Sequence, residues 1–283
     1  MMILDADRPD GGTGPQYNSS VKATPETQPK HQRRSEKLHN KVALITGAGN
    51  ALGRAVSLAF AREGADVFLV YQKNYQDVEQ LCLRIENEGR RCASLSGDVG
   101  NADFCLEAVA AAIRAYSRID ILVNATEELH MQECLENISA DQIAHTFRTN
   151  VFSIFNMTRA ALRHLKPGSS IINATSEAAY HGEPNLLDYS ASMGAVVALT
   201  RSLAVSLIDR KVRVNAVASG PPWLSMVPAG MDEEESAEET DVPHRRTGQP
   251  EDIAPTYVFL ASADAAYMTG EILHPNSGEY AAS

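Results

Sequence analysis

No apolar run in this 283-residue sequence approaches the length of a membrane span, so a membrane is not an expected partner. The start lacks a basic stretch followed by an apolar core, and no secretory signal is expected there. Cysteine is scarce: Cys82, Cys92, Cys105 and Cys134 are the whole complement, and none stands at Cys-x-x-Cys spacing. That argues against a zinc site or a disulfide framework and predicts buried or incidental thiols in a reducing cytoplasm. Positive charge is also in deficit. A net charge of −11 disfavours nucleic acid and anionic membrane surfaces. What remains, 44% hydrophobic and 22% charged residues, is the make-up of an ordinary globular chain. The length suits one large α/β domain and is short for two.

Residues 1–40 are polar, with Gly11-Gly12, several prolines and no apolar period. They read as a disordered tail or an arm on a neighbouring subunit, ahead of a domain over 41–283. The basic stretch 31–37 reads as a solvated charge run. Residues 41–46 (Lys-Val-Ala-Leu-Ile-Thr) form a β-branched strand, followed by Gly47-Ala-Gly-Asn50-Ala51-Leu52-Gly53 and a helix closed by Gly64. A strand, a glycine turn and a helix in that order make a phosphate cradle, with backbone N–H groups and the positive helix end facing the anion. A second strand, 66–71, ends at Tyr71-Gln72-Lys73, where an acidic residue would otherwise hold an adenine ribose 2′-hydroxyl. Its absence, with Lys73 able to attract a 2′-phosphate, favours NADP over NAD.

Strands alternate with helices along the rest of the chain, predicting a Rossmann-like, doubly wound parallel sheet in a single domain. Residues 170–173 are a short apolar run that suits a buried strand, placing Ser176 at its carboxyl end. From Asp188 onward, Ala191, Ala195, Val196, Leu199, Leu203 and Leu207 recur at helical spacing, so Tyr189 opens a helix. In an open α/β sheet, ligands bind at that edge. Position 193, four residues on, returns to the Tyr189 face, and it holds methionine.

These residues resemble the short-chain dehydrogenase/reductase family, over roughly 41–275 and most closely a bacterial branch with an extended N-terminus. The resemblance implies a catalytic set in which Ser176 and Tyr189 match the family serine and tyrosine, and Asn150 in Arg-Thr-Asn-Val-Phe the asparagine. The family lysine is replaced by Met193. It further implies cofactor contacts at Gly47, Asn50, Ala51, Leu52, Gly53, Tyr71, Lys73, Asp98, Val99, Asn124 and Gly220. Several departures fall on the cofactor side. Ala51 stands for a glycine, Glu127 for a small residue, Ser219 for proline, and Leu224 with Ser225 for a threonine. The terminal Asp-Gly-Gly has become Asn276-Ser277-Gly278. Glu127 would oppose phosphate binding if unpaired nearby, and would be harmless if pointed outward. The acidic stretch 228–241 is expected to be a substrate lid or a plain solvated loop.

In the family, tyrosine exchanges a proton with a carbonyl or carbinol oxygen while a nicotinamide carries hydride. A free tyrosine has a pKa near 10, and the family lysine lowers it. Met193 cannot, since a thioether is at most a weak acceptor. Two readings follow. One is an NAD(P)-dependent oxidoreductase acting on a small carbonyl or alcohol, impaired at Met193. The other is a non-catalytic scaffold or dinucleotide sensor. Phe152, Phe155, Met157, Val197 and Leu203 exceed what one buried face needs, and the resemblance implies a homodimer or homotetramer built on those helices.

Overall fold

The computed structural model describes residues 36–220 and 248–278. The N-terminal 35 residues, the acidic stretch 228–241, Leu224 and Ser225 lie outside them. Seven parallel strands form one sheet in the order β3-β2-β1-β4-β5-β6-β7, a Rossmann-like, doubly wound arrangement. The strands are β1 (Val42–Thr46), β2 (Asp66–Tyr71), β3 (Cys92–Ser96), β4 (Ile121–Asn124), β5 (Ser170–Ser176), β6 (Arg213–Ser219) and β7 (Ile272–Leu273). Between them run α1 (Ala51–Arg62), α2 (Tyr75–Asn87), α3 (Ala102–Tyr116), α4 (Ala140–Phe147), α5 (Ser153–Ala161), α6 (Ala178–His181), α7 (Leu187–Ser206) and α8 (Pro250–Ala261). No helix among the described residues is long and apolar enough to cross a membrane.

The central strands β1, β2 and β4 read as nearly unbroken apolar runs because both their faces are covered. Successive side chains alternate across the sheet. Ala43, Ile45, Val67, Leu69 and Val123 meet α1 and α8 through Val56, Phe60, Tyr257 and Leu260. Val42, Leu44, Phe68, Val70 and Leu122 meet α3 and α5 through Cys105, Val109 and Met157. Each large apolar side chain removed from water contributes about 1.5–3 kcal/mol, and these two layers hold the strand ends in place.

Charge is buried where it is paired. Asp66 opens β2 and accepts from the Arg91 backbone at 3.0 Å and the Arg91 Nε at 2.8 Å, with Arg90 2.7 Å away. Burial alone would raise its pKa, but the Arg91 hydrogen bonds and the two guanidinium charges outweigh that and hold it below the usual carboxylate range.

Two expectations are corrected here. Cys82 on α2 and Cys92 on β3 are joined as a disulfide, with Cα atoms 5.3 Å apart. The chain reverses at Gly89, whose φ is +78°, and lays the start of β3 beside α2, a tertiary pairing that short-motif spacing does not display. Cys105 is buried and Cys134 exposed, both as free thiols. Met157 and Val197 are core residues, whereas Phe152 and Phe155 are half exposed, so the apolar surplus narrows to the two phenylalanines and part of Leu203.

Candidate active site

The carboxyl ends of the strands carry the residues singled out above. After β1 the chain turns at Gly47, with φ at +74°, a conformation open to glycine at little cost. A Cβ there would collide with the Ala125 carbonyl, and one at Gly53 with the Gly47 carbonyl. Asn50 caps α1 by accepting from the Gly53 N–H at 2.7 Å and donates to the Ala125 carbonyl at 2.9 Å. Ala51 and Leu52 open the helix, and their N–H groups precede any intrahelical partner. Ala51 thus enters as a helical residue without distorting the turn. Arg54 and Asn74 both donate to the Gly49 carbonyl at 2.8 Å, a brace that the glycine spacing alone does not reveal.

Past β2, Tyr71 is buried and packs near Tyr75, while Lys73 is mostly exposed with its Nζ 3.7 Å from Glu128. Asp98 accepts from the Gly100 N–H at 2.8 Å and faces Arg148 at 3.4 Å; Val99 is buried beside it. Asn124 is turned into the sheet, its amide donating to Asn173 at 2.9 Å, so only its backbone is left to face a ligand. Gly220 follows β6, with open space where a Cβ would go.

Ser176 ends β5, and Tyr189 lies in the first turn of α7, as its spacing predicts. They lie close enough for the Ser176 hydroxyl to act on the Tyr189 phenol, and the Ser176 Oγ accepts from the Ala178 N–H at 3.2 Å. Asn150 sits in a π-helical turn, Arg148–Phe152, between α4 and α5. Such turns recur at functional sites. Its side chain accepts from the Glu128 N–H at 2.8 Å and donates to the Glu128 carbonyl at 2.9 Å and to Ser192 at 3.0 Å. Met193 is buried with Leu186 and Tyr189 in a small apolar cluster.

By gripping both backbone groups of Glu128, Asn150 sets which way its neighbours point. Glu128 turns toward Lys73 and toward His145, 2.7 Å away. Glu127, one residue earlier, turns the other way and accepts a hydrogen bond from the Tyr189 hydroxyl at 3.0 Å. The position read as either opposing phosphate or facing outward therefore faces Tyr189. Glu127 keeps some exposure, yet its carboxyl is enclosed enough that desolvation raises its pKa, the Tyr189 bond offsetting part of the rise. Tyr189 is raised well above 10, first by burial and then by the Glu127 charge, with the Ser176 bond acting against both.

A glycine turn, a buried serine–tyrosine contact and an asparagine in a π-turn now stand on one sheet edge. The family model described as enoyl-(acyl carrier protein) reductase matches residues 47–279. The chain belongs to the short-chain dehydrogenase/reductase family. It is 45% identical over 267 residues to an uncharacterized oxidoreductase, YhdF, of Bacillus subtilis, covering 94% of this chain and 92% of that protein. It is 42% identical over 274 residues to NADPH-dependent aldehyde reductase 1, chloroplastic, of Arabidopsis thaliana, covering 94% and 92%. A short-chain dehydrogenase from Burkholderia cenocepacia, solved in complex with NADP, superposes with a TM-score of 0.79 at 28% identity, covering 86% of this chain and 98% of that one.

The family's dinucleotide suits one half of this cleft. At Gly47 and Gly53 a side chain would fill the turn, and the α1 amides are free to face a phosphate. No carboxylate follows β2. In the other half Met193 offers no charge, and Glu127 brings a carboxyl to Tyr189. Glu177, just past Ser176, is buried and accepts from His274 at 2.8 Å and Asn276 at 3.0 Å. It ties β5 to the segment holding the altered terminal motif, beside a cavity of about 280 Å³ bordered by Gly248, Asp252 and Pro275.

Proposed function

We propose that this chain is an NAD(P)-dependent carbonyl reductase with NADP preferred, acting on a small aldehyde or ketone and slowed by Met193. The observation that carries the reading is the Ser176–Tyr189 contact at the sheet edge, with Asn150 fixed in its π-turn. Gly47, Asn50, Ala51, Leu52 and Gly53 would hold the cofactor phosphates, Asp98 and Val99 the adenine, and Lys73 a 2′-phosphate. When bound, the reduced cofactor supplies a hydride. Tyr189 donates a proton to the carbonyl oxygen, and Ser176 polarises it. Asn150 keeps the two in register by anchoring Ser192 and the Glu128 backbone. Because no lysine lowers the Tyr189 pKa, the neutral phenol dominates, which serves reduction and disfavours alcohol oxidation.

Three lines support NADP: the missing carboxylate after β2, the relative named NADPH-dependent, and the neighbour solved with NADP. The half-exposed Phe152 and Phe155 support a homodimer or homotetramer. Light scattering at micromolar concentration checks it, a monomer being the adverse result.

Calorimetric titration with NADPH and NADH, followed by assays on aldehydes and ketones, tests the whole reading. Affinity of about 1 µM to 1 mM for NADPH, with measurable turnover, is expected. No binding up to millimolar cofactor would leave the scaffold reading in its place.

A further inference from the structure

We propose that Glu127 takes the place of the missing lysine with the opposite charge, supplying through its carboxyl the proton that Tyr189 gives to a carbonyl oxygen. The inference rests on the carbonyl reductase reading and extends it to a residue for which the family pattern has no acid–base part.

Two departures from the family converge on one phenol. Met193 removes a cation, and Glu127 places a carboxyl oxygen 3.0 Å from the Tyr189 Oη. Tyr189 is otherwise sealed, 1% exposed and packed among Leu186, Met193, Leu129, Ala178 and Ala179. Among the described residues, the polar groups acting on it are Ser176 on β5, Glu127 after β4 and Tyr257 on α8, and none is a cation. Tyr257 is fully buried, and its hydroxyl has no hydrogen-bond partner among the described residues. Ser176 is needed against the carbonyl. Glu127 remains, partly exposed as a residue where Tyr189 is sealed.

The protons balance as follows. With Glu127 ionised, the phenolic hydrogen is held by its carboxylate. With Glu127 protonated, the bond reverses, the carboxyl O–H donating to Oη and the phenolic hydrogen turning to the substrate. As the carbonyl carbon gains hydride from the reduced nicotinamide, the C=O electron pair moves onto oxygen. The Tyr189 O–H bond breaks and its proton forms the alcohol. The Glu127 O–H bond then breaks to restore the phenol, and the carboxylate regains a proton from water. Burial keeps the carboxyl protonated at higher pH than an ordinary glutamate, which suits this cycle. In the reverse direction the same carboxylate opposes the phenolate that alcohol oxidation requires. Reduction should therefore fade as pH rises through the Glu127 ionisation.

Glu127→Gln keeps the size and the hydrogen bond while removing the transferable proton. With NADPH and a panel of aliphatic and aromatic aldehydes, wild type should lose kcat on the alkaline side. Glu127→Gln should lose about tenfold or more in kcat and should lack that limb, with KM for NADPH not raised. A second readout needs no cofactor. Ultraviolet titration of the apo protein, taken as a difference from Tyr189→Phe, should show Tyr189 ionising at lower pH in Glu127→Gln than in wild type. The double variant Glu127→Gly with Met193→Lys should restore reduction and add alcohol oxidation at high pH. Equal kcat and pH profile in wild type and Glu127→Gln, or an unmoved Tyr189 titration, overturns the relay alone. A wild type that binds NADPH and reduces no aldehyde overturns the carbonyl reductase reading, and the relay with it.

Discussion

The two ends of the cleft follow different rules. At the β1–α1 turn the backbone decides: Gly47 and Gly53 lie so close to neighbouring carbonyls that a side chain at either would collide. At the β4–α7 end side chains decide, and there the thioether of Met193 and the carboxyl of Glu127 stand beside the Tyr189 phenol. At the first end Gly47 and Gly53 admit no side chain without a collision, so the turn is set by the backbone. The second can be rebuilt by exchanging one pair of residues, so chemistry can drift there while the fold does not.

Tyr189→Phe should break the comparison most sharply. It removes the donor at the side-chain-governed end and should lower kcat by about 10²–10⁴, with NADPH affinity by calorimetry unchanged. Gly47→Ala strikes the backbone-governed end. Collision with the Ala125 carbonyl plus strain at φ +74° should cost about 3 kcal/mol in denaturant unfolding. Gly89→Ala, at φ +78° but with open space around it, should cost only about 1–2 kcal/mol and isolate the strain.

Glu127→Gln sharpens the contrast through stability. The Glu127 pKa is raised on folding, so its proton stabilises the native state below the unfolded value near 4.3. That contribution is lost as pH rises through the folded value. The variant should therefore melt higher than wild type at neutral pH, with the gain vanishing in acid. The smallest effect is expected from Lys73→Glu. The side chain is mostly exposed, so NADPH affinity should fall about fivefold or less and NADH affinity should hold. Equal losses for both cofactors would remove Lys73 from phosphate recognition.

Much of the architecture was legible because the central strands β1, β2 and β4, covered on both faces, are nearly all apolar, and because a strand end and a helix start gave Ser176 and Tyr189 their places. Asn150 was legible as a motif, though its π-turn was not. What escaped the sequence depends on contacts distant along the chain. Glu127 faces inward because Asn150, more than twenty residues later, grips the Glu128 backbone. Cys82 meets Cys92 because a reversal at Gly89 brings β3 beside α2. Met157 and Val197 looked surplus because helical period alone does not show how many neighbours cover a face.

Lys73 and Glu128 project from the ends of β2 and β4, the two strands that flank β1, so their 3.7 Å contact reaches across the β1–α1 turn. Under the proposed NADP reading, an arriving dinucleotide would part them. An exposed pair of this kind is worth about 0–1 kcal/mol, so the clasp yields easily. Its cation would then pass from a protein carboxylate to the ligand, with Glu128 left on His145. Part of the proposed attraction for a 2′-phosphate would be offset by that exchange. Added salt weakens the clasp and also screens the chain's net charge of −11. Cofactor association should consequently quicken with ionic strength, the reverse of what a free lysine steering an anion would give.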